Sequence, residues 1–177
     1  MSINNTALSA FNNEMKTVTA DNDGGYNTWF PDEGTYDCTV NGVYMGECKA
    51  TEWIDGNPVE HEGILIKFNY TLIEDPGSAD NPRSFEGGPF ILPAGGASVY
   101  TDDKAKANLE RNLKRLKGHL CVMLGMQEIP DVSAAMGEVE SRLQTEQILA
   151  KIKCTSYTNP KSQKTRNTEY VNSLLGV

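Results

Sequence analysis

The chain has 177 residues, 38% of them hydrophobic and 23% charged, with a formal net charge of −8. This composition suits one globular domain with its own core and excludes a disordered or low-complexity chain. No apolar run approaches the roughly 18–20 residues of a membrane span. The opening Met1–Thr6 lacks the basic and apolar regions of a signal peptide, so a cytoplasmic protein with no membrane partner is expected.

Charge is unevenly spread. Residues 1–103 carry 17 acids and 4 bases, whereas residues 104–177 carry 7 acids and 12 bases. Such a chain can offer phosphate a basic face while its acidic part repels nucleic acid elsewhere.

Residues 1–30, rich in Asn, Thr and Asp, read as a flexible arm with a short helix around Ala7–Met15. Residues 31–177 read as the folded domain. Pro31-Asp32-Glu33-Gly34 leads into a strand in which Tyr36, Cys38 and Val40 alternate with polar residues. Asn41-Gly42 interrupts it as a bulge or tight turn, and the strand signal resumes to Trp53. Asp55-Gly56-Asn57-Pro58 reads as a turn. A second strand runs from Gly63 to Glu74, with Ile64, Ile66, Phe68, Tyr70 and Leu72 on one face. After a loop over Asp75–Arg83, Ser84–Pro93 reads as a third, glycine-broken strand.

The period then changes. From Lys104 to Leu124, Ala105, Leu109, Leu113, Leu116, Leu120 and Met123 form one stripe of an α-helix. Asp102-Asp103 suits its N-terminus and Gly125 its close. Pro130-Asp131 opens a second helix to about Gln144. Two strands follow, Gln147–Tyr157 and Thr165–Leu174. Three strands, a helical insert and two more strands predict a mainly β, α+β domain: an OB-like five-stranded barrel with helices between the third and fourth strands. A small antiparallel sandwich with a helical lid gives nearly the same string.

The binding signal lies in the fourth strand. There Ile148, Ala150, Ile152 and Cys154 alternate inward, which sets Lys151, Lys153, Thr155 and Tyr157 on the opposite face. The next loop adds Lys161, Lys164 and Arg166. Lysine and arginine neutralise phosphates, and an aromatic ring gives a base a stacking platform. Trp53, beside a turn, is a further platform. A second basic stripe, Lys104, Arg111 and Arg115 with Asn108 and Asn112, lies on the long helix. Each of these is also what an ordinary solvated face looks like.

The competing chemistry is a metal-dependent nuclease. Pro31-Asp32 followed by Glu47-Cys48-Lys49 matches the PD-(D/E)xK pattern, two carboxylates for a divalent metal and a lysine for water. An acidic chain produces so short a pattern easily. Cys38, Cys48, Cys121 and Cys154 form no CxxC pair, and with only His61 and His119 beside them they read as free thiols rather than zinc ligands. No P-loop, nucleophile elbow or HExxH is present, so no cofactor and no catalytic residue are expected.

Pro31–Tyr36, His119–Gly125 and Asn167–Val171 occur in the order and spacing of a family that the chain resembles over residues 30–175. These are the small bacteriophage single-stranded DNA-binding proteins, OB-like in fold and associated with replication and recombination. The resemblance implies a non-enzymatic protein that coats single-stranded DNA in the host cytoplasm, with replication or recombination proteins as further partners. It imports no binding residues. Many such proteins end in an acidic tail; here no acid follows Glu169. A protein-binding adaptor is a third reading, and oligomeric state is not legible.

Overall fold

Two residues set the longest hairpin. Asp55 and Gly56 both have positive φ, 51° and 82°, as a two-residue type I′ turn requires. They join β1 (Gly34–Ile54) to β2 (Asn57–Leu72) in a register that begins at Ile54 opposite Asn57. The turn is therefore shorter than the sequence suggests: Asn57 and Pro58 already belong to a strand. The structure, a computed structural model, describes residues 29–77 and 83–176. The predicted arm and its helix, residues 1–28, lie outside that range, as do residues 78–82 of the predicted loop. Trp29 and Phe30, assigned by sequence to the arm, pack edge-on against Phe85.

The expected interruption at Asn41-Gly42 is a bulge. The pairing of β1 with β2 shifts between Val40 and Gly42 while the strand continues. Below the bulge, Gly34–Val40 also pairs with β5 (Ile148–Thr158), which in turn pairs with β6 (Thr165–Leu174). On the far side of β2 lie two short strands, β3 (Ser84–Glu86) and β4 (Phe90–Pro93). The expected third strand is thus split at Gly87-Gly88-Pro89. The described residues form one six-stranded antiparallel sheet in the order β3-β2-β1-β5-β6, with β4 also on β2. Among them no ladder joins β6 to β3 or β4, so the sheet is open where a closed five-stranded barrel was expected.

Two α-helices lie between β4 and β5, in the place the sequence gives them. In α1 (Asp103–Leu124) the Asp102 carboxylate accepts the Ala105 N–H at 2.8 Å, and the Gly125 N–H closes the other end on the Cys121 and Val122 carbonyls. In α2 (Val132–Thr145) Asp131 caps the Ala134 N–H at 3.0 Å. Leu109, Leu116, Leu120 and Met123 of α1 are buried as predicted, but Leu113 is 40% exposed. The buried stripe is centred nearer His119, which leaves Leu113 at its margin. Val40, Ile66, Phe68, Phe85 and Phe90 of the sheet meet Leu116, Leu120 and Met123 of α1 and Met136 and Val139 of α2 in one core. Leu109 belongs instead to a smaller cluster with Ala50 and Tyr100. Among the described residues no helix is long and apolar enough to cross a membrane.

The Asp55-Gly56 turn places the hairpin tip, and with it Trp53. Replacing Gly56 by Ala puts a Cβ on a left-handed residue, at a cost of about 1 kcal/mol. The melting temperature of Gly56→Ala should therefore fall by roughly 2–4 °C. An unchanged Tm would mean that the turn is not of this type.

Candidate functional site

The open side of the sheet is held by one side chain. Glu169 of β6 is fully buried, and its carboxylate accepts the Gly88 N–H at 2.5 Å, between β3 and β4. A Cβ on Gly87 would run into the same carboxylate, so only glycine allows this approach. Arg115 of α1 donates to the Gly88 carbonyl at 3.0 Å and lies 4.1 Å above the Phe90 ring. One turn along the helix, His119 donates from Nε2 to the Glu169 main-chain carbonyl at 3.2 Å. That bond fixes the tautomer and leaves the Nδ1 lone pair 4.0 Å from Glu169 Oε1. A proton on Oε1 gives the facing lone pairs a donor between them; an ionised carboxylate sets them against each other.

The electrostatics agree. Burial pushes the Glu169 carboxyl up to about 7, although Arg115 and the Gly88 N–H pull the other way. Burial, and then Arg115, push His119 down to about 3, so the imidazole is neutral. Burial and Glu169 also raise the buried Tyr70 hydroxyl.

A second buried carboxylate ties the hairpin to the start of α1. Glu52 of β1 accepts the Thr101 and Asp102 N–H groups at 3.0 and 3.1 Å and lies 3.1 Å from His61 Nε2. Burial alone would raise this carboxyl; the bonds from Asp102, His61 and Thr101 outweigh it and hold it below the usual range.

Between these two ties runs an open groove of about 2180 Å³, well beyond the roughly 300–1,000 Å³ of a small-molecule pocket. The β1–β2 hairpin lines it with Tyr44, Lys49, Thr51, Trp53, Leu65 and Lys67. Helix α1 contributes Lys104, Asn108, Arg111, Asn112, Lys114 and Arg115, and β6 contributes Arg166, Thr168 and Tyr170. Its seven cations, Lys49, Lys67, Lys104, Arg111, Lys114, Arg115 and Arg166, face three carboxylates, Glu52, Glu86 and Asp102. Lys49 pairs with Glu62, Lys67 with Glu86 and Lys114 with Glu110. Among the described residues Lys104, Arg111 and Arg166 have no carboxylate partner. Three of the lining aromatics are exposed: Trp53 at 64%, Tyr44 at 45% and Tyr170 at 43%.

The predicted site residues divide around this groove. Trp53 and Arg166 line it, as does the whole predicted helix stripe. Arg115, however, is half-buried over Phe90 and does not stand free in solvent. Lys151, Lys153 and Tyr157 do share the outer face of β5, opposite the buried Ile152 and Cys154. Lys151 is paired with Asp37 at 3.1 Å. Lys153 stands opposite Tyr170, and Tyr157 opposite Arg166, so this face adjoins the groove across β6. Lys161 and Lys164 lie on an exposed turn closed by the Asn159 N–H to the Lys164 carbonyl at 3.0 Å, and they do not line the groove. Sequence reasoning missed Tyr44 and Tyr170. The alternation of Arg166, Thr168 and Tyr170 against Val171 could have revealed Tyr170; Tyr44 was hidden by the register shift at the bulge.

The nuclease pattern is not assembled. Asp32 precedes β1, and Glu47 lies in its distal half, 13 positions beyond Gly34. At ~3.3 Å per residue this separates them by roughly 40 Å along the strand, less whatever the bulge bends away, too far to share one metal. Among the described residues, no three His, Cys, Asp or Glu side chains converge as metal ligands. All four cysteines are free, Cys38 and Cys154 buried and Cys48 and Cys121 half-buried. Burial pushes the Cys38 and Cys154 thiols up to about 12.

Comparison of the chain with protein-family models, with curated proteins and with solved structures finds no match.

The Glu169 seam makes a signed prediction. A carboxyl whose folded pKa is raised contributes stability below its unfolded value, and loses it as pH rises through about 7. His119 has the opposite slope on the acid side, so the wild type must be compared with Glu169→Gln. The stability difference should move in favour of the amide between pH 5 and pH 8, by on the order of 3 kcal/mol. Urea unfolding at several pH values measures it, and a difference that does not change with pH would show that Glu169 is ionised throughout.

Proposed function

We propose that the groove binds single-stranded DNA, without sequence preference and without catalysis, as a coating protein of phage replication or recombination. The observation that carries this reading is the groove lining: seven cations against three carboxylates, with three exposed aromatic rings, in a chain of net charge −8. Cations along a groove release counterions from phosphate, and exposed rings stack bases only where those bases are unpaired. Length favours a polymer, since the lining extends from the β1–β2 hairpin past α1 to β6.

The strand order supports the same reading. β3-β2-β1-β5-β6 is the order of an OB barrel opened at one seam. Proteins of that fold bind oligonucleotides on the face of their second and third strands and between the loops after the first and fourth. Of the corresponding elements here, β2 with β3 and Trp53 beside the Asp55-Gly56 tip line the groove, whereas the Asn159–Lys164 turn does not. The family resemblance in the sequence points to the same function.

The test is a fluorescence titration of labelled single-stranded and duplex oligonucleotides over a range of salt. Single strands should bind and duplex should bind more weakly. Lys104→Ala, Arg111→Ala and Arg166→Ala should each flatten the log-affinity against log-salt slope by about 0.7. Trp53→Ala and Tyr170→Ala should each lose about 1–3 kcal/mol with little change in slope. Lys161→Ala and Lys164→Ala should have the smaller effects, since neither residue lines the groove. If the groove variants melt and bind like wild type, the groove is not the site; if only the Lys153, Tyr157, Lys161 and Lys164 variants weaken binding, the outer β5 face is.

A further inference from the structure

One edge of β1 carries no partner strand. β5 begins at Ile148, opposite Val40, so it pairs only with Gly34–Val40, whereas β2 follows β1 on its other side as far as Ile54. From Val43 onward, among the described residues, the backbone N–H and C=O groups of this edge have no ladder. Long unpaired edges are commonly blunted by proline, by a covering element or by charged side chains, lysine above all, and of these, among the described residues, this edge carries only charges, which are of both signs. Here the segment Met45-Gly46-Glu47-Cys48-Lys49-Ala50-Thr51 has no proline, and Met45 is 45% exposed with Ile64 at 47% on the neighbouring strand.

The charges in this segment are self-complementary. Glu47 and Lys49 flank Cys48 and share one face of the strand. If two copies align antiparallel about a two-fold axis through Cys48, Glu47 of each lies directly opposite Lys49 of the other. Met45 then lies opposite Thr51, and Cys48 opposite Cys48. Moving the centre to residue 47 or 49 sets Glu47 or Lys49 against its own copy, and moving it to residue 46 or 50 leaves the charges unmatched. Opposite charges directly across a strand pair stabilise it and like charges destabilise it. Lys49 already has Glu62 beside it within the hairpin, but Glu47 has no cation among the described residues.

We propose that this edge is a homodimer interface, in which β1 of one copy pairs antiparallel with β1 of a second copy in the register centred on Cys48. The partner is another molecule of this chain, and the contact is isologous, as a closed dimer requires. Each copy supplies the same strand segment, Met45–Thr51, so both Glu47 side chains find a lysine across the axis. The segment shares Lys49 and Thr51 with the groove lining, so the dimer is tested with no oligonucleotide present.

Sedimentation velocity of the full chain tests it. The wild type should sediment as a dimer at micromolar concentrations. Glu47→Lys should be monomeric, because the introduced lysine then meets Lys49 of the other copy. Lys49→Glu should be monomeric for the mirror-image reason, the introduced glutamate meeting Glu47. An equal mixture of the two variants should recover the dimer, since one chain then carries only lysine at the two positions and the other only glutamate. A short bis-maleimide should couple two wild-type copies, and Cys48→Ser should abolish that product. Melting curves confirm that each variant is folded. A monomeric wild type overturns the proposal, and so do folded single variants that remain dimeric or a mixture that stays monomeric.

Discussion

Six strands run as one antiparallel ladder with an open side, and there a buried carboxyl takes the place of a missing strand pair. Glu169 reaches from β6 to the Gly88 N–H, Arg115 takes the Gly88 carbonyl, and His119 takes the carbonyl of Glu169 itself. These contacts place α1 along the seam and fix its rotation, because Arg115 and His119 lie one turn apart on the same side. The stripe of Lys104, Asn108 and Arg111 is thereby turned toward the groove. A side chain on Gly87 would run into the carboxylate, and one on Gly88 into the Asn167 main-chain carbonyl. These glycines also split the third strand, and with it the backbone pairing that would have closed the sheet.

At the other end a second buried acid plays a different part. Glu52 is ionised and fully bonded at the start of α1, where the positive end of the helix dipole favours an anion. Glu169 faces a neutral imidazole, and burial raises its carboxyl to about 7 against the pull of Arg115 and the Gly88 N–H. Two glutamates of one sheet thus hold the same helix: Glu52 through its carboxylate at the helix start, and Glu169 through its main-chain carbonyl, which accepts from His119. The groove keeps its shape because α1 is tied to the sheet at Glu52 and at the Glu169 seam, while its Arg115 lies over Phe90 and its Leu116 is buried in the core.

Much of this was legible in the sequence, for local reasons. The alternation in β5, the Asn41-Gly42 bulge, the capped helix from Asp102 to Gly125 and the helical place between strands all follow from period and turn chemistry. Trp53 and the helix stripe were recognisable as groove residues by type. Glu169 was not, because an acid on the inward face of a strand reads as a break in pattern until Arg115, His119 and Gly88 arrive from distant parts of the chain. The split of the third strand was hidden for the same reason. The outer face of β5 attracted attention because its lysines alternate cleanly, whereas the groove gathers its cations from β1, β2, α1 and β6 and has no signature in any one segment. Lys151 also looked free in the sequence, yet Asp37 lies across the strand pair from it.

If the proposed function holds, bases stack in the groove between the hairpin and β6, and photochemical cross-linking reads that stacking residue by residue. An oligothymidylate irradiated in complex with the full chain should form adducts that peptide mass spectrometry maps to Tyr44, Trp53 and Tyr170. Adducts confined to Tyr157 and the Asn159–Lys164 turn, or none despite measurable binding, would rule out stacking in the groove.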